Sequence, residues 1–160
     1  MDFSLEPMIG RTPEEIEHLV EPWVEDFIEP VIYSDATRTI AQHRKNGDRI
    51  LVISASGTHL VKPIAARIGI DEVLGIELEV SHGVYSGRTV GVLTYREGKI
   101  TRLMEWLEQE GESLEGAYFY SDSRNDLPLL LKVENPHVVN PDPVLREHAE
   151  KAGWPIHQWA

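Results

Sequence analysis

Residues 117–131 read Ala-Tyr-Phe-Tyr-Ser-Asp-Ser-Arg-Asn-Asp-Leu-Pro-Leu-Leu-Leu, and the architecture of the chain is best predicted outward from them. A polar cluster separates two short apolar runs, at 117–120 and 127–131, and this pattern predicts a buried strand, a polar turn and a helix. In an open α/β sheet, such a turn lies at the carboxyl edge of the strands, where ligands bind. The stretch therefore predicts an α/β fold with a ligand site at the turn.

Two carboxylates, Asp122 and Asp126, belong to this turn. Carboxylates brought close together repel each other unless a proton or a cation lies between them, and hard divalent cations prefer oxygen ligands. The pair therefore indicates a metal site, with Mg²⁺ as the natural candidate. The alternative is helix capping, because Ser, Asp and Asn side chains at the start of a helix accept hydrogen bonds from its unpaired amides. The turn alone leaves both interpretations open.

A second unit of strand, turn and helix is predicted earlier in the chain. Residues 49–53 form a mostly apolar run, as a buried parallel strand does, and a helix is predicted over 58–69. Between them lies Ser-Ala-Ser-Gly at 54–57, whose hydroxyls and backbone amides can bind an anion at a helix N-terminus. Many such turns use small residues only for packing and capping, so the turn by itself leaves the role of Ser54 open.

The remaining segments continue the alternation of helices and strands. Further helices are predicted over 12–28, 34–46, 98–109 and 141–152. Pro22 should kink or split the first of these, because proline lacks the amide that an inner turn needs. A hairpin is predicted around His82-Gly83 and a short strand over 137–140. Lys99 lies at the start of the helix over 98–109, where a single Lys is ordinarily a surface charge.

Composition limits the partners that the chain can have. Its 160 residues are the length of one domain. Of these residues, 41% are hydrophobic and 26% are charged, which are the proportions of a globular protein. Fifteen basic against 27 acidic residues give a formal charge of −12, which argues against nucleic acid and anionic membranes. A small anionic substrate is still compatible, because a metal ion and one Lys can reverse the potential locally.

The residue types that are missing narrow the chemistry further. The chain has no Cys, which excludes disulfides and thiolate nucleophiles. No apolar run approaches the roughly 18 residues that a membrane span needs, and the acidic N-terminus resembles no signal peptide. We therefore expect a cytoplasmic protein.

Taken in order, Ser54 after one strand, Lys99 at the head of a helix, and Asp122 with Asp126 after another strand resemble the haloacid dehalogenase superfamily. More narrowly, the chain is similar to its phosphoserine phosphatase-like branch, which includes enzymes described as histidinol-phosphatase-like. The resemblance covers nearly the whole chain and implies a Rossmann-like parallel sheet flanked by helices. The matching pieces are Ile-Leu-Val-Ile-Ser-Ala-Ser at 50–56, Gly-Lys at 98–99, Tyr-Ser-Asp-Ser-Arg-Asn-Asp-Leu-Pro-Leu-Leu at 120–130 and Val-Asn-Pro-Asp at 139–142.

The resemblance implies that phosphate binding involves three of these residues. Ser54 matches the hydroxyl that hydrogen-bonds the transferring phosphoryl group, and Ala55 lies beside it in the same phosphate-binding turn. Lys99 matches the Lys that neutralises the charge of that group. Phosphoryl transfer depends mainly on in-line positioning and on stabilising charge on the oxygens, which fits these roles.

The resemblance also implies a metal site on the later turn. Asp122 matches the family's Mg²⁺ ligand, and Asn125 and Asp126 match residues that support the metal and the phosphate from the same loop. The implied activity is Mg²⁺-dependent hydrolysis of a small phosphorylated metabolite.

The family's first motif, Asp-x-Asp-x-Thr or Val at the end of the first strand, has no match in this sequence. Its first Asp attacks phosphorus, and its second serves as general acid and base. Residues 1–33 instead resemble the tail of the helical cap that the family inserts after this motif, and residues 34–160 resemble its α/β core. We therefore expect the chain to lack the nucleophile and, by itself, to be nearly inactive.

The missing motif also predicts a missing strand. In the family, the first strand is central and lies between the strands that end at Ser54 and Asp122. Neighbouring strands are about 4.8 Å apart, so its absence leaves a gap of roughly 10 Å or forces the flanking strands to pair. We therefore expect a truncated or alternatively started product, a re-paired sheet, or a gap filled by forming a homo-oligomer.

Two other functions compete with an enzyme. The first is a non-catalytic module, a truncated or pseudo-enzyme that binds Mg²⁺ and phosphate or a partner chain. The second is a phospho-accepting signalling receiver, which also combines carboxylates, a hydroxyl and a Lys around Mg²⁺. In that fold the acidic residues precede the hydroxyl and the Lys comes last, whereas Ser54 and Lys99 both precede Asp122 here. The receiver therefore ranks lowest.

Overall fold

The computed structural model describes residues 5–160, and helices and strands alternate along them. The predicted α/β class is confirmed. By its internal contacts, the chain divides into two compact units, Met1–Thr94 and Tyr95–Ala160, which we call the N-terminal and C-terminal units. The boundary expected at residue 33, between a cap remnant and a core, stays a prediction. Across residues 5–160, no helix is both long and apolar enough to cross a membrane.

From residue 5 onward, the N-terminal unit contains three α-helices and a three-stranded sheet. Its elements are α1 Pro13–Trp23, α2 Ser34–Lys45, β1 Val52–Gly57, α3 Thr58–Arg67, β2 Val73–Ser81 and β3 Val84–Val90. β1 pairs with β2 in parallel, and β2 pairs with β3 as the predicted antiparallel hairpin. Its core is formed by Met8, Ile16, Val20 and Val24.

The start and end of α1 follow from its sequence. The hydroxyl of Thr12 accepts a hydrogen bond from the amide of Glu15, and Pro13 occupies the first helical position, where its missing amide is harmless. The α-helical pattern ends one residue after Pro22 and changes to a π-helical turn at Val24–Ile28. Proline removes an inner hydrogen bond, which accounts for the change at this point.

The first strand lies further along the chain than the sequence predicted. The predicted strand covered 49–53, whereas β1 is Val52–Gly57, so Ser54 and its neighbours belong to the strand itself. Gly75 on the paired strand explains the difference, because a Cβ there would lie 2.9 Å from the carbonyl oxygen of Ser56. Small residues on both strands allow this close approach. The regular pairing with β2 is interrupted by a bulge between Ile53 and Gly57, and it resumes at Gly57, which lies opposite Ile76.

The C-terminal unit consists of a parallel sheet and its helices. Its elements are α4 Glu97–Glu110, β4 Tyr118–Ser121, a 3₁₀ turn Arg124–Asp126, α5 Leu127–Leu130, β5 Asn135–Val139, α6 Pro143–Ala152 and β6 Ile156–His157. The strand order is β4-β5-β6, and both pairings are parallel. The sequence did not predict β6. The core of this unit is formed by Leu130, Val138, Leu145 and Ala149.

The residues that follow β4 and β5 lie at the carboxyl edge of this sheet. β4 ends at Ser121, directly before Asp122, and β5 ends at Val139, three residues before Asp142. Over residues 5–160, the strands form two three-stranded sheets, one in each unit. The expected absence of a central first strand stays a prediction.

Candidate active site

Ser54 lies on β1, in the N-terminal unit, and its main chain is held in place. Its carbonyl oxygen accepts a hydrogen bond from the hydroxyl of Thr94, a fully buried residue. Its own hydroxyl oxygen accepts a hydrogen bond from the amide of Ser56, at 3.2 Å. A hydroxyl that accepts in this way keeps its hydrogen to donate. Ser54 is therefore fixed within β1 with a donor still available, and Ala55 lies beside it.

His59, which the sequence did not point to, lies in the first turn of α3, close to Ser54 in the chain. Its ring packs against Gly57, where a Cβ would be 2.5 Å from the ring atoms. Its Nδ1 atom is buried and has no hydrogen-bond partner in the part of the chain from residue 5 onward. Burial lowers the pKa of His59, because the charged form is poorly solvated. The start of α3 thus carries a neutral imidazole near pH 7.

In the C-terminal unit, the structure brings two predicted site residues together. Lys99 lies in the first turn of α4, and its Nζ is 2.7 Å from Oδ1 of Asp126, at the end of the 3₁₀ turn. Both side chains are only about a tenth exposed. Lys99 is therefore not the surface charge that a single Lys would ordinarily be, but one half of a buried ion pair.

Ser121 completes this arrangement, and the sequence had given it no site role. Its hydroxyl donates to Oδ2 of Asp126 at 2.5 Å and accepts from the amide of Ser123 at 3.2 Å. Both carboxylate oxygens of Asp126 are therefore engaged, one by Lys99 and the other by Ser121. The proposed metal role of Asp126 stays a prediction, and the contacts favour a role in holding Lys99. A Ser directly before Asp122 is the sequence signal that points to this contact.

Asp122 differs sharply from Asp126, although the two lie on the same loop. Its side chain is exposed, and no hydrogen bond or ion pair to its carboxylate occurs within residues 5–160. Its carbonyl oxygen accepts a hydrogen bond from the amide of Asp142 at 3.0 Å. Asp122 thus has a fixed main chain and a carboxylate that is free to take a cation.

Asp122 suits Mg²⁺ better than it suits a metal that needs a full set of protein ligands. Among residues 5–160 there is no group of three or more His, Asp or Glu side chains that could enclose a metal ion. Mg²⁺ commonly keeps several waters and binds through one or two carboxylates together with substrate phosphate oxygens. An exposed carboxylate at the carboxyl edge of a parallel sheet meets that requirement.

The capping interpretation holds for part of the same loop. The hydroxyl of Ser123 accepts a hydrogen bond from the amide of Asn125 at 3.1 Å and caps the 3₁₀ turn. Asn125 is half-buried and lines an open pocket of about 410 Å³. The pocket is lined by Ser123, Arg124, Asn125, Asp142, Pro143 and Val144. Ser123 therefore caps the 3₁₀ turn, and ligand binding by Asp122 and Asn125 stays a prediction.

Asp142 joins this loop to α6. Its Oδ1 accepts from the amide of Leu145 at 2.8 Å, and its Oδ2 accepts from the amide of Arg124 at 2.7 Å. Partial burial would raise the pKa of Asp142, but the amides of Leu145 and Arg124 and the Arg124 charge outweigh it, so the pKa is lowered. The sequence contained Asp142 within Val-Asn-Pro-Asp but indicated no role for it.

Comparison with known proteins places these residues in a family. A model of the haloacid dehalogenase-like hydrolases matches residues 4–131. A histidinol-phosphatase of Neisseria meningitidis serogroup C (strain 8013) is 38% identical over 160 residues, which cover 98% of this chain and 72% of that protein. The phosphoserine phosphatase SerB1 of Mycobacterium tuberculosis (strain ATCC 25618 / H37Rv) is 34% identical over 151 residues. The match covers 94% of this chain but only 49% of the mycobacterial protein.

Solved structures agree with this assignment. The crystal structure of a protein of unknown function from Bordetella pertussis Tohama I superposes with a TM-score of 0.90 at 34% identity, over 94% of this chain and 69% of that one. A phospho-aspartyl intermediate analogue of phosphoserine phosphatase gives a TM-score of 0.65 at 23% identity, over 92% and 71% of the two chains, and supports the fold alone. With a family match that covers most of its length, and relatives more than 30% identical, the chain belongs to the haloacid dehalogenase-like hydrolases.

Proposed function

We propose that this chain carries the metal-binding and phosphate-binding part of a Mg²⁺-dependent phosphomonoester phosphatase. The observation that carries the proposal is the difference between two carboxylates on one loop. Asp126 is buried and engaged by Lys99 and Ser121, whereas Asp122 is exposed and free. A single loop thus supplies a cation ligand and also holds a positive charge in place. The names of the Neisseria and mycobacterial relatives support the same reaction class.

The proposed roles follow from these contacts. Mg²⁺, when bound, would neutralise charge on the phosphoryl oxygens. Asp122 would hold the ion, Asp126 would fix the direction of the Lys99 ammonium, and Asn125 would face the substrate from the same loop. For Ser54, which belongs to the N-terminal unit, phosphate binding is proposed from the family resemblance alone. These groups supply positioning and electrostatic stabilisation, which are the main requirements of phosphoryl transfer.

Turnover needs a nucleophile, and the printed sequence contains no Asp-x-Asp-x-Thr or Val motif. Loss of a covalent nucleophile costs on the order of 10⁴ to 10⁶ in rate in a comparable catalytic machine. The chain by itself is therefore proposed to bind Mg²⁺ and phosphate with little hydrolysis. The ligand is proposed to be a small cytoplasmic phosphorylated metabolite, because a net charge of −12 disfavours nucleic acid and anionic membranes.

The second candidate function is a non-catalytic module. It is favoured because both carboxylate oxygens of Asp126 are engaged, by Lys99 and by Ser121. This group is held together without a nucleophile. The two candidates differ in whether the chain, once it has bound Mg²⁺, turns over a phosphate ester.

The test is to titrate Mg²⁺ into the chain by calorimetry and, in parallel, to measure hydrolysis of p-nitrophenyl phosphate. Binding should be lost in Asp122→Asn and retained in Glu134→Gln, a matched control that neutralises another exposed carboxylate of the C-terminal unit. Hydrolysis should be close to background throughout. The metal assignment is wrong if the chain binds no Mg²⁺ or if Asp122→Asn binds it equally well. Mg²⁺-dependent turnover would show that a nucleophile is present after all.

A further inference from the structure

We propose that Asp142 is a positioning residue that holds the Asp122 loop in the conformation needed to bind the metal ion. This inference rests on the proposed function, because it assigns Asp142 to the same site. Asp142 lies outside the loop, at the N-cap of α6, and neither the resemblance nor the comparisons give it a role.

Asp142 contacts the loop at two points on either side of Ser123. Its amide donates to the carbonyl oxygen of Asp122 at 3.0 Å, and its Oδ2 accepts from the amide of Arg124 at 2.7 Å. One residue therefore provides both a donor and an acceptor to the main chain that directly follows the proposed ligand. Hydrogen bonds to a carboxylate are stronger than those between neutral groups, so the Arg124 contact is the firmer of the two.

The loop needs such support because the Asp122 side chain provides none. Its carboxylate has no hydrogen-bond partner within residues 5–160, so its position depends on the main chain that carries it. Residues that orient a metal ligand in this way commonly affect metal affinity although they do not touch the metal.

The support is anchored on a well-packed helix. The other carboxylate oxygen of Asp142 accepts from the amide of Leu145 and thereby caps α6. Leu145 and Ala149 are fully buried in the core of the C-terminal unit. Since both oxygens of Asp142 already accept backbone amides, Asp142 fits a role beside the metal site better than a role as a ligand.

Two substitutions separate helix capping from loop positioning. In Asp142→Ser, the hydroxyl can still cap α6, because Ser is a good N-cap residue, but it offers one acceptor instead of two and cannot also hold the Arg124 amide. In Asp142→Ala, the side-chain contacts to the amides of Leu145 and Arg124 are both lost, whereas the backbone bond from residue 142 to the carbonyl oxygen of Asp122 can remain. Glu147→Gln is the control, because it neutralises an exposed carboxylate on the same helix, which among the described residues 5–160 pairs with Lys151 on the surface.

The experiment uses Mn²⁺ as a probe for Mg²⁺, with its affinity measured by electron paramagnetic resonance, alongside amide hydrogen exchange by NMR. Asp142→Ser should melt close to the unaltered chain, bind Mn²⁺ about 10-fold more weakly and exchange its Arg124 amide faster. Glu147→Gln should match the unaltered chain in all three measurements. Asp142→Ala should show the same loss of affinity together with a lower melting temperature.

The outcomes distinguish the inference from the function on which it rests. If the unaltered chain binds no Mn²⁺, or if Asp122→Asn binds it equally well, the proposed metal site is wrong and the role of Asp142 is wrong with it. If the chain binds Mn²⁺ through Asp122 but Asp142→Ser binds it with unchanged affinity, the metal site stands and the positioning role is overturned.

Discussion

The ion pair between Lys99 and Asp126 encloses two opposite charges where water has little access to either. Ser121 occupies the second oxygen of the carboxylate, so the three side chains form one connected group. Removing one partner of a buried pair is costly, because the remaining charge loses its counter-ion without regaining its hydration. The stability of the C-terminal unit should therefore depend on the whole group rather than on each residue separately.

We expect Asp126→Asn to lower the free energy of unfolding by about 3 kcal/mol, because it leaves the Lys99 ammonium buried without a counter-ion. Combining it with Lys99→Met should restore part of the loss, since no buried charge then remains. Urea unfolding followed by amide exchange in the C-terminal unit measures both effects. The surface pair of Glu147 and Lys151 is the reference, and its removal should change stability by less than about 1 kcal/mol. Equal costs for the two pairs would contradict the prediction.

At the residue scale, the sequence predicts candidate site residues but not the contacts that their side chains make. It points to Ser54, Lys99, Asp122 and Asp126, because each stands at the end of a predicted strand or the start of a predicted helix. That Lys99 contacts Asp126 was not predictable, since the pattern does not give the distance between α4 and the 3₁₀ turn. The sequence gives Asp142 no site role, because its side chain contacts two backbone amides, and such contacts leave no mark on the sequence.

At the scale of elements, Asn140 extends the pairing of β5 with β6 beyond the strands themselves. Its amide donates to the carbonyl oxygen of His157, and its side chain bonds both the amide and the carbonyl oxygen of Trp159, at 2.9 and 3.1 Å. The side-chain amide of Asn140 thus makes the two hydrogen bonds to Trp159 that a backbone peptide group would make in a longer strand. Asn140 has a φ of +43°, a conformation that Asn tolerates better than most residues.

Asn140→Ala should release the end of the chain from the sheet. We expect the Trp159 amide to lose its protection from hydrogen exchange, and the C-terminal unit to lose about 2 kcal/mol from two missing hydrogen bonds and a strained backbone. Asn140→Gly is the matched variant, because glycine adopts positive φ without strain and loses only the hydrogen bonds. If Trp159 exchange is unchanged in both variants, the side chain of Asn140 does not hold the chain end.

Helices and strands with a clear apolar period or turn signal are predicted correctly from the sequence. The bounds of β1 and the existence of β6, which depend on pairing with another strand, are not. The helix predicted over 98–109 and the hairpin around His82-Gly83 are confirmed, because each has a clear apolar period or a clear turn signal. The shift of β1 depends on a close approach to Gly75 on another strand, which no local pattern records. β6 has only two residues and is defined by its pairing with β5, so it is too short to produce a recognisable pattern in the sequence.

At the scale of the whole molecule, the chain has a separate hydrophobic core in each unit. The core of the N-terminal unit combines two residues of α1 with Met8 and Val24, whereas that of the C-terminal unit combines α5, β5 and α6. The α/β class followed from the alternation of elements in the sequence. The division after Thr94 did not, because no linker composition marks it and it depends on the density of contacts.

Leu145→Ala should destabilise the C-terminal unit alone. The side chain is fully buried, so its truncation should cost about 3 kcal/mol through lost contacts and a cavity. Amide exchange in β5 should accelerate, while exchange in α1 should stay nearly unchanged. Val144→Ala removes an exposed side chain from the same helix and serves as the control. Equal acceleration in β5 and α1 would show that the two cores unfold as one.

The chain has a net charge of −12, so a positively charged group that an anion can reach matters for its binding. The ammonium group of Lys99 is such a group, because it has more hydrogens than the contact with Asp126 uses. An ammonium group carries three, and one of them suffices for the contact with Asp126. The other two point away from that carboxylate at the fixed angles of a tetrahedron. An anion can therefore accept a hydrogen bond from Lys99 while the ion pair with Asp126 stays intact. Lys99 need not break its contact with Asp126 before it binds the anion.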